Sequence, residues 1–269
     1  MPSLTPDETG SEEAEPLQIV ADLGNSRLKW GRLDASGNIT EVVSLSIDDP
    51  AHWESVWRAW TTCGAVRSSW RIASVNPPLA ERLGEFLTTI AISEVVWLRA
   101  ASDVPIASLI QKRETTGADR AIAVLGAKAI KQKGQPGMVV LCGSAITVER
   151  LGADGTWHGG AIGPGLFLSA KALFTQTAQL PLIDATPDPP PWGQSTIPAL
   201  QAGVYWGVVG AIRELLTRQS LGLVPDPWVV FSGGDAEALC KSVGWKGAEV
   251  IPDRVLRGLA FLTHRHHER

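Results

Sequence analysis

The chain has 269 residues, 44% hydrophobic and 19% charged, the balance of an ordinary globular protein with room for one large or two moderate cores. Its net charge of −4 comes from the first sixteen residues, where Asp7, Glu8, Glu12, Glu13 and Glu15 stand without a Lys or Arg. The remainder is near neutral, which excludes a generic nucleic-acid surface. Cys63, Cys142 and Cys240 are dispersed, against a disulfide framework or zinc site, and no apolar run reaches membrane-spanning length. With an acidic start that is the reverse of a signal peptide, the expectation is a cytoplasmic protein with no nucleic-acid and no membrane partner.

Residues 1–16 lack the apolar content to fold and read as a disordered acidic tail. Strands are predicted at Leu17–Asp22, Arg27–Leu33 and Ile39–Ile47. Between the first two lies Asp22-Leu23-Gly24-Asn25-Ser26-Arg27-Leu28-Lys29, a turn whose glycine admits close backbone approach. Its short polar groups and N–H groups suit an anion, and no GxxxxGK[ST] phosphate loop occurs anywhere. Asp48-Asp49-Pro50 opens a helix with Trp53, Trp57 and Trp60 on one face, a spacing expected of core packing. Trp70–Val75, Leu79–Ile90 and Glu94–Leu98 continue as strand, helix and strand, an α/β alternation. Thr115-Thr116-Gly117-Ala118-Asp119-Arg120 then leads into an alanine-rich helix, with Asp119 and Arg120 in its first turn. An acid is at home there; the arginine is not the charge that end of a helix prefers. Together they could hold a hydroxyl and an anionic group of one substrate.

The first hairpin pattern returns at Met138–Glu149, with Gly143 and Ser144 in the places of Gly24 and Asn25 and Leu141 in the place of Asp22. Two such hairpins, one heading each half, suggest a duplicated domain with a nucleotide between the halves: residues 17–132 and 133–269. Gly159-Gly160-Ala161-Ile162-Gly163-Pro164-Gly165 describes backbone packed closely against a ligand or another segment, opening a helix over Leu166–Gln179. Ser195-Thr196 heads a long helix to about Arg218, with Gly203, Gly207 and Gly210 along it permitting close helix approach. Trp228–Phe231 is a buried strand ending in Ser232-Gly233-Gly234-Asp235, a seat for a base and ribose, and a helix from about Asp253 to Thr263 closes the fold. The terminal His264-Arg265-His266-His267 reads as a frayed polar end rather than a metal site.

Taken in order, these motifs resemble the type III pantothenate kinases of the acetate and sugar kinase/Hsc70/actin superfamily, over roughly residues 17–263. The resemblance implies two RNase H-like (actin-like ATPase) domains with the nucleotide cleft between them. It also implies a homodimer with active sites at the subunit interface, and ATP- and Mg2+-dependent phosphorylation of pantothenate, the first step toward coenzyme A. On that resemblance Asp22, Leu23, Gly24, Asn25, Ser26, Arg27, Leu28 and Lys29 form the ATP-phosphate segment and Ser144 is a further phosphate contact. Gly117, Ala118, Asp119 and Arg120 hold pantothenate, with Thr196 a further contact and Asp119 the proton acceptor from its primary hydroxyl. The family's second hairpin normally begins with an Asp associated with a monovalent cation (K+ or NH4+); here it is Leu141, which offers no oxygen ligand. A tyrosine usual upstream of Gly117 is Ile110. These departures motivate two alternatives, a non-catalytic nucleotide-binding regulator and a kinase with another acceptor alcohol.

Overall fold

In the computed structural model, which describes residues 16–25, 27–61 and 67–267 with side chains to Thr263, the first apolar run is strand β1 (Leu17–Leu23). The expected tail, Pro16 apart, and Ser26 of the first turn lie outside the described residues. β1 pairs antiparallel with β2 (Leu28–Leu33), which sets Asp22 opposite Lys29, and β2 pairs antiparallel with β3 (Ile39–Leu45). Helix α1 (Pro50–Trp60) then crosses to β4 (Ser68–Ser74), parallel to β1, and α2 (Pro77–Leu87) to β5 (Ile92–Leu98), parallel to β4. Both helices start as their sequences require. Asp49 and Asn76 accept the N–H groups of His52 and Leu79, each at 3.2 Å, and a proline occupies the first turn of each.

The second half repeats this plan. After α3 (Ala118–Ile130), β6 (Gly137–Cys142), β7 (Ala145–Leu151) and β8 (Trp157–Pro164) form an antiparallel meander. α4 (Leu166–Gln176) and α5 (Thr196–Ser220) lead to β9 (Trp228–Ser232), parallel to β6. α6 (Ala236–Val243) leads to β10 (Ala248–Val250), parallel to β9, and α7 (Arg254–His267) ends the described chain. The two sheets have the orders β3-β2-β1-β4-β5 and β8-β7-β6-β9-β10, the same topology built twice. The duplication read from two turns therefore extends to whole sheets.

Three cores separate the layers. On the outer face of the first sheet, Trp53, Trp57 and Trp60 of α1 are buried against Trp30 and Trp70, whose rings meet edge to face at 5.0 Å. The tryptophan stripe is core, as its spacing implied. On the outer face of the second sheet, Met138, Val140 and Val148 pack against α4, α5 and α6. Between the sheets lie α3 and α7, burying Ala121, Val124, Leu256 and Leu259 among Val20, Ala73, Val139 and Leu151.

The two central helices cross at glycines. A Cβ on Gly126 would stand 3.0 Å from the Gly258 backbone, and one on Gly258 would stand 2.3 Å from the Ile122 carbonyl oxygen. This crossing joins the two halves and sets the distance between the hairpins each half carries. The glycines from Gly159 to Gly163 lie in β8 at the sheet edge, packed against another segment: a Cβ on Gly160 would collide with the Val148 carbonyl and the Glu149 carboxylate.

Candidate active site

In sheets of this kind ligands gather outside the carboxyl ends of the parallel strands. The predicted motifs converge there. Asp22 ends β1, Leu141 and Gly143 end β6, Ser232-Gly233 end β9, and Gly117 packs beside Val75 just past β4, where its own Cβ would stand 3.2 Å from the valine side chain.

Asp22 is partly buried, and four things act on it. Removal from water pushes its pKa from 3.8 to about 7, with the Asp119 carboxylate adding to the rise, the Lys29 ammonium opposing it and Asp253 adding again. Asp22 and Asp119, ninety-seven positions of chain apart by number, thus feel one another across the same space. Lys29 answers part of that negative charge: its Nζ donates to Asp253 Oδ1 at 2.7 Å. Asp253 sits at a backbone φ of 54°, the left-handed region where a non-glycine residue is strained, immediately before α7. An Asp after proline and before a helix reads simply as a cap. Its partner is 224 residues away, and nothing local to either residue marks the pair.

Asp119 lies in the first turn of α3, where its Oδ1 accepts the Arg120 N–H at 2.8 Å. Burial raises its pKa, and the Arg120 amide and guanidinium oppose that rise. Gly117 is required here, because a Cβ would stand 2.5 Å from Asp119 Oδ1. The Arg120 side chain turns to β7, donating to both oxygens of the fully buried Glu149 at 2.6 and 2.9 Å, while Trp157 Nε1 donates to the same carboxylate at 2.9 Å. The guanidinium also lies 5.5 Å from the Trp157 ring. A bidentate pair with a planar neighbour fixes the arginine in one pose. Glu149 is the residue that sequence reasoning missed; only its apolar setting in β7 could have flagged it.

The two hairpin tips differ. In the first, the Gly24 N–H bonds the Arg27 carbonyl at 3.1 Å, and Asn25 and Arg27 are exposed. Arg27 reaches toward the other half: its Nη1 would lie 3.7 Å from a Cβ on Gly234, and its charge lowers the pKa of Asp235, which burial raises. In the second, the turn at Gly143-Ser144 is clamped. The Gly165 N–H bonds the Ser144 carbonyl at 2.9 Å, and a Cβ on Gly165 would stand 2.1 Å from the Gly143 carbonyl oxygen. Gly233, at φ 110°, presses on the Cys142 carbonyl from the other side. Leu141 is half-buried against the central core opposite Thr147, whose buried hydroxyl has no partner.

The structure therefore brings together Asp22, Lys29, Gly117, Asp119 and Arg120, with Arg27 turned toward the Gly233-Gly234 junction. Leu23, Leu28 and Ala118 are fully buried, so only their backbones face any ligand. Thr196 is exposed at the start of α5, with no hydrogen bond to Asp119, Arg120 or the first hairpin among the described residues.

A family model for type III pantothenate kinase matches residues 18–218. A type III pantothenate kinase of Nitrosococcus oceani is 32% identical over 252 residues, covering 90% of this chain and 92% of that protein. One from a Synechococcus strain is 31% identical over 261 residues, covering 95% and 96%. Among solved structures, a Baf-family protein from Campylobacter jejuni superposes with a TM-score of 0.58 at 20% identity, covering 93% of this chain and all of that one. Component A of the (R)-2-hydroxyglutaryl-CoA dehydratase of Acidaminococcus fermentans does so with 0.51 at 12%, covering 95% and 100%. At those identities the structures speak for the fold alone, two sheets of the actin-like ATPase and sugar kinase kind. The family model and the length of the sequence matches go further: the chain belongs to the type III pantothenate kinase family.

Proposed function

We propose that this protein transfers the terminal phosphoryl group of ATP to the primary hydroxyl of pantothenate, at a site that opens between residues 17–132 and 133–269. The carrying observation is geometric: Asp22 lies at the end of β1, whose last residue Leu23 accepts the Val75 N–H at 3.3 Å, and Gly117, where a Cβ would stand 3.2 Å from Val75 and 2.5 Å from Asp119 Oδ1, brings the start of α3 to the same end of the sheet. Phosphoryl transfer needs alignment and charge neutralisation more than covalent chemistry. On the nucleotide side Lys29, Arg27 and the exposed turn at Asn25 supply positive charge and donors, and Ser144 at the second hairpin is a further phosphate contact. Asp119 orients the acceptor hydroxyl and takes its proton late, since a carboxylate is a weak base toward an alcohol. Arg120, held rigid by Glu149 and Trp157, presents its remaining edge to the pantothenate carboxylate or amide.

No three carboxylates among the described residues close on one point, so Mg2+ would be held by Asp22 together with the phosphates of ATP. Asp22 holds a proton to about pH 7 because burial and its neighbouring carboxylates leave negative charge uncompensated there, and a divalent cation relieves that. When bound with ATP, Mg2+ neutralises charge on the phosphates. A monovalent cation does not fit at the second hairpin: Leu141 is apolar, Thr147 brings a single hydroxyl, and no cluster of three metal-binding side chains exists among the described residues. Turnover should therefore be indifferent to potassium. The polar machinery of the first hairpin and α3 is complete, and nothing in the site favours the non-catalytic alternative.

Thr196 belongs to this site only if a second copy delivers it. Beside it Ile197 is exposed, and Phe167, Leu173 and Phe174 of α4 and Ile162 of β8 present a further apolar face. That face borders a groove running between α4 and the Gly203-Gly207 stripe of α5. A surface of this kind on a soluble protein is covered by a partner, and a second copy is the self-complementary solution. We read the protein as a cytoplasmic homodimer on this basis. The test is ADP release with and without pantothenate, with sodium replacing potassium, and with the product identified by the mass of one added phosphate on pantothenate. ATP binding without pantothenate-dependent turnover would favour a regulator; turnover with another alcohol alone would change the acceptor.

A further inference from the structure

At the far end of β1 from Asp22 a cavity of about 260 Å3 opens on the inner face of the first sheet, beside Thr263 of α7. Gln18, Ser69, Arg71, Ser93, Glu94 and Thr263 supply its polar lining. Gln18 and Asp22 are four residues apart on one strand, so the two places are separated by about 13 Å at ~3.3 Å per residue.

Arg71 is the unusual member. It is only 8% exposed, yet its guanidinium makes no hydrogen bond or ion pair with any group among the described residues. A buried guanidinium without a partner is expensive, and where one occurs it is expected to face a ligand or water. The carboxylate that acts on it is Glu94 on the adjacent strand β5. Ser69 stands directly opposite Glu94 in the ladder, and Arg71 stands opposite Val96, so cation and carboxylate occupy diagonal positions. They do not close on one another. Glu94 instead accepts from Ser69 Oγ at 3.5 Å at the exposed rim, while Arg71 stays at the buried base.

We infer that this cavity binds a small zwitterion of the amino-acid class, its carboxylate on Arg71 and its ammonium on Glu94. A plain anion would meet the repulsion of Glu94 at the mouth, and a plain cation that of Arg71 at the base; a molecule carrying both charges satisfies both. The volume lies below the ~300–1,000 Å3 of drug-sized pockets, which keeps the occupant small. The hydroxyls of Ser69 and Ser93 and the Gln18 side chain serve the remaining polar atoms. Nothing in this inference depends on the kinase reading, since the site shares no residue with the phosphate end of the sheet.

The test is isothermal titration of the full chain with each standard amino acid, with acetate and methylamine as single-charge probes. At least one amino acid should bind with a Kd under ~1 mM, and each single-charge probe at least ten-fold more weakly. Arg71→Met should abolish the heat. Glu94→Gln, at an exposed position with no packing role, should weaken binding at least ten-fold while leaving Tm unchanged. Absence of binding by every amino acid, equal binding of acetate, or indifference to Glu94→Gln would overturn the assignment. So would binding seen only after deletion of residues 1–15, which would show that the chain's own carboxylates fill the cavity.

Discussion

The two hairpins share one backbone plan and divide the chemistry unequally. In the first, Asp22 faces Lys29 across the ladder; at the same two positions of the second stand Leu141 and Thr147. At the two tip glycines a Cβ would find similar room, 3.5 Å from the Arg27 carbonyl at Gly24 and 3.8 Å from the Ala145 carbonyl at Gly143; what differs is that Gly165 and Gly233 press on the second tip from outside. Duplication thus preserved the turn, while charge collected in one copy and tight packing in the other. The lesson is that a repeated fold identifies where a ligand sits, and only the side chains of each copy say which part of it they handle.

The largest effect should follow from Asp22→Asn. Removing the carboxylate proposed to meet metal and phosphate should lower kcat at least ~100-fold. It should also stabilise the protein at pH 8. In the folded chain Asp22 keeps its proton up to about pH 7, against 3.8 for the ordinary residue, so the folded state binds more protons across that window. Stability from this group is present below the lower value and is lost as pH rises through the higher one. The neutral asparagine escapes that loss, on the order of 2 kcal/mol, read as a Tm several degrees higher at pH 8 but unchanged at pH 4. Equal activity, or a lower Tm at pH 8, would break the assignment of the first hairpin.

Next in size is the clamp. Gly233→Ala places a Cβ 2.2 Å from the Cys142 carbonyl oxygen at a φ of 110°, and should destabilise by about 3 kcal/mol in denaturant unfolding. Gly24→Ala, in the first tip, should change stability by less than ~1 kcal/mol. Equal losses would erase the structural difference between the turns. Smaller still is Thr147→Val: the buried hydroxyl has no partner, so its removal should leave stability unchanged or raise it by up to ~1 kcal/mol. Least of all, exchanging potassium for sodium should alter turnover less than two-fold; a larger change would show that the Leu141 hairpin still serves a cation by other groups.

Much of the fold was legible because its signals are local. Alternating and apolar runs marked the strands, Asp48-Asp49-Pro50 marked the start of α1, and α2 begins two residues before the expected Leu79. The repeated Gly-polar turn gave away the duplication. What stayed hidden depends on distant partners. Asp253 looks like a cap until Lys29 lies against it, and Glu149 like a misplaced charge in a buried strand until Arg120 and Trp157 close on it. Arg71 sits in a run that otherwise reads as plain strand, and its lack of a partner is visible only in three dimensions. The glycine-rich stretch before α4 left two readings open, a ligand or another segment close to its backbone; the segment is β7, where the Val148 carbonyl and Glu149 leave no room for a Cβ on Gly160.

The central claim is that Asp119 faces the acceptor alcohol beside the Asp22–Lys29 ladder, and the most direct measurement is pantothenate-dependent ADP release by Asp119→Asn against the unsubstituted chain. The account predicts a kcat lower by ~100- to 10,000-fold with the KM for ATP nearly unchanged, because the proposed nucleotide contacts lie on the first hairpin and Asp119 on α3. A variant that turns over pantothenate at the original rate would contradict it.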